Sequence, residues 1–152
     1  MTPTLRPARP DEADALTALL RRSKASWGYS EAFIRRVVNL LSITAQHIAT
    51  AIAVDVLEAD GRVVGFYHLR DNVGQCWLED LFVEPDAMGR GYGKTLFEHA
   101  LCSARAAGYA ELYWESDPNA EGFYLKLGAS RVGEKPSIIK GRMLPQMRIV
   151  LK

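Results

Sequence analysis

Val83-Glu84-Pro85-Asp86-Ala87-Met88-Gly89-Arg90-Gly91-Tyr92-Gly93-Lys94-Thr95 leads from a β-rich run through a glycine-rich turn into an amphipathic helix. Backbone N–H groups at a helix start lack intrahelical acceptors and carry the positive end of the helix dipole. Glycine lets a bulky anion approach such a backbone closely. Residues 88–94 therefore read as a phosphate cradle. Two familiar nucleotide patterns fail on spacing. A Walker-type loop ending in Gly93-Lys94-Thr95 needs glycine at position 88, which is Met. Gly89-x-Gly91-x-Gly93 misplaces the last glycine of the dinucleotide fingerprint Gly-x-Gly-x-x-Gly. A tight turn that serves packing alone is the competing reading.

Downstream of the turn, Leu96, Phe97, Ala100, Leu101 and Ala104 line one face of a helix running to about Ala107, with Gly108 as its stop. Residues 110–115 read as a strand returning by a right-handed crossover. A short helix over 119–127, a strand over 129–133, a polar connection over 135–142 and a last strand over 145–151 follow. Upstream, residues 76–83 form a strand stopped at Pro85. Runs 51–57 and 62–69 flank Ala59-Asp60-Gly61, a strong hairpin signal, and residues 71–75 give a second turn. These short connections predict a three-stranded antiparallel meander. Thr4–Pro7 is a first strand, and Pro10, Asp11 and Glu12 open a helix carrying Ala15, Leu16, Leu19 and Leu20. Ser30 caps a second helix to about Leu41, with Phe33, Ile34, Val37, Val38 and Leu41 on one face.

With its neighbours, the turn resembles the acyl-CoA signature of the GNAT superfamily of N-acetyltransferases, Gln/Arg-x-x-Gly-x-Gly/Ala. Gly91 and Gly93 match the small positions, Arg90 is a common type inside the turn, and Met88 stands where Gln or Arg is usual. Leu78-Glu79-Asp80-Leu81-Phe82-Val83-x-Pro85 is similar to the family's central strand, closest to its polyamine and small-amine branch. Ser116-Asp117-Pro118-Asn119 through Phe123-Tyr124-Leu125-Lys126-Leu127-Gly128-Ala129 is similar to its Asn…Tyr-x-x-x-Gly-Ala segment, with a shorter Asn-to-Tyr spacing. The match is close over residues 78–129, and the first 70 residues match in element order only.

The resemblance implies an α/β GNAT fold, a mixed, largely antiparallel seven-stranded sheet with helices on both faces, filling residues 1–152 as one domain. Its central strands would splay beyond Val83 and Glu115 to open a cleft. Acetyl-CoA is the implied co-substrate. The diphosphate would lie on Met88, Gly89, Arg90, Gly91, Tyr92, Gly93 and Lys94, and the pantetheine arm along Leu81, Phe82 and Val83, with Asn119 as a further contact.

The implied chemistry is acetyl transfer to a primary amine by direct attack within a ternary complex. At pH 7 only on the order of one alkyl amine in a thousand is neutral. A proton acceptor, an oxyanion donor and an acid for the leaving sulfur are needed. A backbone N–H near Val83 is the candidate oxyanion donor. Tyr124 is the candidate acid, against a packing role beside Phe123. Glu79 is the candidate base, against a solvent-facing strand charge, and Glu115 is held in reserve. Strand alternation turns Glu79 and Asp80 to opposite faces, so only one meets the acceptor, and Asp80 is assigned to substrate binding. Trp27 and Tyr29 form a candidate aromatic wall for an amine, or else seal a helix–helix turn. A regulatory module that binds acyl-CoA without turnover is the alternative function.

Composition narrows the partners. Nineteen basic and 18 acidic residues leave a net charge of +1, without the basic face a nucleic-acid partner needs. No apolar run reaches membrane-spanning length and no apolar signal core opens the chain, so the cytoplasm is the expected compartment. Cys76 and Cys102 read as small buried hydrophobes, without Cys-x-x-Cys. His47, His68 and His99 show no metal spacing, and no metal is expected. His68, on a central strand, is a lesser pocket candidate. A small-molecule or peptide amine is the expected acceptor, and a homodimer is common among proteins of this resemblance.

Overall fold

The computed structural model describes residues 2–37, 41–137 and 142–152. Its sheet has seven strands in the order β1-β2-β3-β4-β5-β7-β6. They are β1 (Thr4–Pro7), β2 (Ala53–Ala59), β3 (Arg62–Asn72), β4 (Gln75–Val83), β5 (Glu111–Glu115), β6 (Ser130–Pro136) and β7 (Met143–Val150). All pairs are antiparallel except β4–β5. The helices are α1 (Ala13–Ala25), α2 (Glu31–Val37), α3 (Ala45–Thr50), α4 (Tyr92–Ala106) and α5 (Glu121–Lys126).

The β3 run buries every residue from Val64 to Leu69, as a strand covered on both faces must. On one face Leu16, Leu19 and Leu20 of α1 pack with Val54, Val56 and Phe66. On the other, Leu96, Phe97, Ala100 and Ala104 of α4 pack with Tyr67, Leu69, Leu78 and Leu112. The expected meander and the helices on both faces are thus present.

Several boundaries differ from the sequence reading. The second helix is described from Glu31 to Val37; its expected continuation through Val38 lies outside the described residues, as do 138–141 of the polar connection. A third helix, α3, was not expected. Thr44 caps it by accepting from the His47 N–H at 3.0 Å, while His47 Nδ1 accepts from the Thr44 N–H at 3.1 Å. A histidine thereby fills the reciprocal role usually read from Glu or Gln. Cys102 is exposed, contrary to expectation, because it lies off the stripe of α4 that faces the sheet.

The β3–β4 hairpin turns on Val73 and Gly74, both left-handed, with φ of 51° and 84°. Such a two-residue turn suits Asn-Gly, and a β-branched residue there is strained by roughly 1–2 kcal/mol. Val73 is 96% exposed and packs on nothing that offsets this. Val73→Asn should stabilise the fold by about 1 kcal/mol, read as a Tm rise of roughly 2–4 °C.

At the β1 edge of the sheet, Arg6 bridges Glu12, at 2.8 and 2.9 Å, and Glu58. The Arg6 guanidinium outweighs partial burial and holds the Glu12 carboxyl down, from 4.5 to about 2. A depressed carboxylate contributes stability above its unfolded value and loses it as pH falls toward the folded one. Arg6→Ala should therefore destabilise by about 1 kcal/mol at pH 7, and by progressively less in urea titrations from pH 4.5 to pH 2.

Candidate active site

The β4–β5 pair is joined only at Cys76–Leu112 and Trp77–Tyr113. The strands therefore separate well before Val83 and Glu115, earlier than the sequence suggested. The cause lies on β4's other side. His68 is opposite Asp80 and Leu69 is opposite Leu78, so Glu79 is an extra residue, a β-bulge. A bulge bends its strand and locally disrupts pairing. It also breaks alternation, and Glu79 and Asp80 both line the resulting cavity of about 520 Å³, instead of one alone as expected.

Beyond the bulge, the edge of β4 toward β5 carries no ladder. The Glu84 N–H donates to the Val64 carbonyl at 2.8 Å on the β3 side. Alternation then turns the main chain of Phe82 to β3 and the groups of Leu81 and Val83 into the cleft. Leu81 and Val83 are thus open to an extended ligand arm, while the Phe82 side chain packs toward α1.

At the end of β4 the chain enters the glycine turn. Gly89 and Gly91 take φ of 82° and 81°, and the first helical bond of α4 is Thr95 N–H to Gly91 O at 3.1 Å. Met88 N–H is used internally, toward Pro85 O at 3.4 Å. The amides of Gly89, Arg90, Gly91, Tyr92, Gly93 and Lys94 have no acceptor among the described residues. Alternating left-handed residues turn successive N–H groups to one point, which makes an anion-binding nest. The exposed side chains of Arg90 and Lys94 add positive charge beside it, Lys94 pairing loosely with Glu98 at 3.8 Å. These features fit a diphosphate. Met88, 40% exposed, adds only an apolar side chain where the signature it resembles carries Gln or Arg.

A Cβ on Gly93 would meet the Phe123 ring at 3.4 Å, so α5 lies directly against the first turn of α4. This seats Tyr124 beside the cleft. Its ring packs on Trp114 at 4.9 Å, Phe123 at 5.0 Å and Phe97 at 5.4 Å between centroids. Its hydroxyl has no hydrogen-bond partner among the described residues, and the residue lines the cavity. Burial, helped by the charge of Asp117, pushes the phenol well above its ordinary value. The hydroxyl therefore keeps its proton at neutral pH.

The acceptor side of the cavity carries Trp27 but ties Tyr29 into a clasp at its edge. Tyr29 Oη donates to Asp117 at 2.6 Å and accepts from Arg142 at 2.6 Å and from Asn119 Nδ2 at 3.1 Å. Lys24 and Arg142 both pair with the same Asp117 oxygen. Arg142 also lies 5.0 Å from the ring centroids of Tyr29 and Phe33. Burial alone would raise the Asp117 carboxyl, but Lys24, Tyr29 and the Asn119 amide together hold it below the ordinary range. Burial and Asp117 push the Tyr29 phenol up to about 12. Asn119, expected at the cofactor, is turned to this clasp.

Glu79 accepts from Arg70 at 2.5 Å at the exposed rim, and Glu115 pairs with Lys135 at 3.1 Å. The sequence reading passed over Lys24, Asp117 and Arg142. Asp117 stood inside the quoted motif, but its partners lie 93 and 25 residues away, beyond any local pattern.

A parted strand edge, a helix start with unpaired amides and a buried tyrosine beside the cavity are what an acyl-CoA-dependent transferase requires. The Acetyltransferase (GNAT) family model matches residues 15–129. The chain is 30% identical over 148 residues to the peptidyl-lysine N-acetyltransferase YjaB of Salmonella typhimurium, covering 96% of each. A GCN5-related N-acetyltransferase from Rhodopseudomonas palustris superposes with a TM-score of 0.81 at 25% identity, over 99% of this chain and 97% of that one. The fold also matches yncA of Salmonella typhimurium with acetyl-CoA, at a TM-score of 0.71 and 21% identity over 100% and 95%. The chain belongs to the GNAT acetyltransferase family and is an N-acetyltransferase that uses acetyl-CoA as co-substrate and an amine as acceptor.

Proposed function

We propose that the enzyme transfers acetyl directly to a primary amine held beside the thioester in one ternary complex, with residues 1–152 acting as one catalytic domain. The observation that carries this reading is one cleft lined together by Leu81 of the free β4 edge, by Tyr124 and by carboxylates. Direct attack suits the thiols as well. Cys76 is fully buried, burial pushes its thiol up to about 11, and neither cysteine lines the cavity, so neither is placed to carry acetyl.

Acetyl-CoA supplies the activated thioester. Leu81 and Val83 offer main-chain partners to its pantetheine arm, and a N–H near Val83 faces the developing oxyanion. Trp27 offers an aromatic wall for the acceptor, and Tyr29 holds that wall's edge through Asp117 and Arg142. Tyr124 donates a proton to the departing sulfur. The acceptor class we favour is a lysyl ε-amine or a similar alkyl amine, supported by the similarity to a peptidyl-lysine acetyltransferase.

Thiol release from acetyl-CoA is the test, with spermidine, free lysine, Nα-acetyl-lysinamide and a lysyl peptide as acceptors. Intersecting initial-rate lines and acetylated Nα-acetyl-lysinamide are expected. Parallel lines with an acetylated enzyme would overturn direct attack. Tight CoA binding without thiol release to any amine would instead favour a binding module.

A further inference from the structure

The cavity is lined by four carboxylates, and three of them are neutralised by lysine or arginine. Glu79 holds Arg70, Glu115 holds Lys135, and Asp117 holds both Lys24 and Arg142. Asp80 alone has no lysine or arginine partner among the described residues. Its contact is His68, directly opposite on β3, with Oδ2 and Nδ1 3.2 Å apart. His68 is 4% exposed and does not line the cavity, whereas Asp80 does.

From this we infer that Asp80, positioned by His68, takes the proton from the attacking amine, and that Glu79 serves to fix Arg70 at the cavity rim. The inference rests on the amine-transfer reading above and moves the base from Glu79, the candidate the resemblance implied, to Asp80. A carboxylate bound to a guanidinium gives up that bond when it accepts a proton. Asp80 forfeits no such partner. Its burial raises the carboxyl above the ordinary range, against the opposing bond from His68, which improves it as a base near neutrality. The charged and titratable groups around it are Glu79 on β4, His68 and Arg70 on β3, His47 on α3 and Lys24 on α1. Across the cavity stand Glu115, Asp117, Lys135 and Arg142. His47 lies 6.0 Å from His68 between ring centroids, and its Nδ1 accepts from the Thr44 N–H, a bond that needs an unprotonated nitrogen there.

An ammonium N–H proton passes to an Asp80 carboxylate oxygen, and the freed nitrogen pair forms the C–N bond as the thioester C–S bond breaks. The sulfur takes the Tyr124 proton, and the phenolate is restored by the second proton leaving nitrogen. The third stays on the amide, and Asp80 releases its proton to solvent.

The test is the pH dependence of kcat/KM with acetyl-CoA and Nα-acetyl-lysinamide. Wild-type enzyme should be flat through neutral pH and fall on the acid side as Asp80 is protonated. Asp80→Asn must wait for free amine, so its rate should climb about tenfold per pH unit, with a loss of at least tenfold at pH 7. His68→Leu should move the acid limb to higher pH, and His68→Gln, whose amide can donate to Asp80, should move it back. Glu79→Gln should keep the limb while changing KM. Calorimetric CoA binding by each variant shows that the fold is intact. An Asp80→Asn enzyme with a flat profile and a kcat within threefold of wild type would overturn the assignment, as would an unmoved limb in His68→Leu. If wild-type enzyme releases no thiol with any amine, the amine-transfer reading itself fails and takes the inference with it.

Discussion

Gly91→Val should weaken CoA binding about a hundredfold while leaving the protein folded. The space at Gly91 is empty, since a Cβ there meets nothing within 4 Å, so the substitution creates no clash. Its cost is conformational. Gly91 sits at φ 81°, where a β-branched residue is strained by roughly 1–2 kcal/mol. The strain is relieved if φ turns negative, but that rotation swings the Gly91 and Tyr92 amides away from their common point. Losing about two hydrogen bonds to a charged diphosphate, at roughly 1.5 kcal/mol each, amounts to about 3 kcal/mol, or a hundredfold in Kd. Gly91→Asn provides the control, because asparagine tolerates the left-handed region, and it should stay within about tenfold of wild type. Calorimetry with CoA measures both, and thermal melting confirms folding. A Gly91→Val protein that binds CoA as tightly as wild type would mean that these amides do not hold the anion.

The geometry of the glycine turn was legible because everything it needs is local. A strand end, two left-handed glycines and a helix start fall within a few consecutive residues, and backbone geometry supplies the donors. The Asp60-Gly61 hairpin was legible for the same reason, and both residues take the left-handed conformation expected. The bulge at Glu79 was hidden because a bulge is a relation between two strands. Nothing in Leu78-Glu79-Asp80-Leu81 shows that β3 passes over one residue, yet that omission brings both carboxylates to the cavity and parts β4 from β5 early. The clasp was hidden by distance. Tyr29 meets Asp117 across 88 residues and Arg142 across 113, and only the assembled sheet brings the loop after α1, the loop after β5 and the residue before β7 to one place. The short α3 escaped notice because its capping partner is His47, and a search for acidic or amide side chains passes over it.

Tyr124→Phe should lower kcat about a hundredfold and leave CoA affinity nearly unchanged. Removing a buried hydroxyl usually breaks a hydrogen bond and costs about 1 kcal/mol of stability, which confounds the kinetics. Tyr124 avoids this, because its hydroxyl has no partner among the described residues while its ring packs on Phe97, Trp114 and Phe123. Phenylalanine keeps those ring contacts, so the melting temperature should hold within about 2 °C. General acid catalysis is typically worth 10²–10⁴ in rate. The lower end applies because a phenol raised by burial is a weaker acid than the thiol it serves, and its proton moves only as negative charge builds on sulfur. The same raised phenol predicts no basic limb from Tyr124 between pH 7 and about pH 10, since the hydroxyl remains protonated throughout. Steady-state kcat, calorimetric CoA affinity and a pH profile on one pair of proteins read all three expectations. An unchanged kcat would return Tyr124 to the core as a packing residue. A hundredfold fall in both kcat and CoA affinity would show that the hydroxyl holds the co-substrate in the ground state instead of assisting its leaving group.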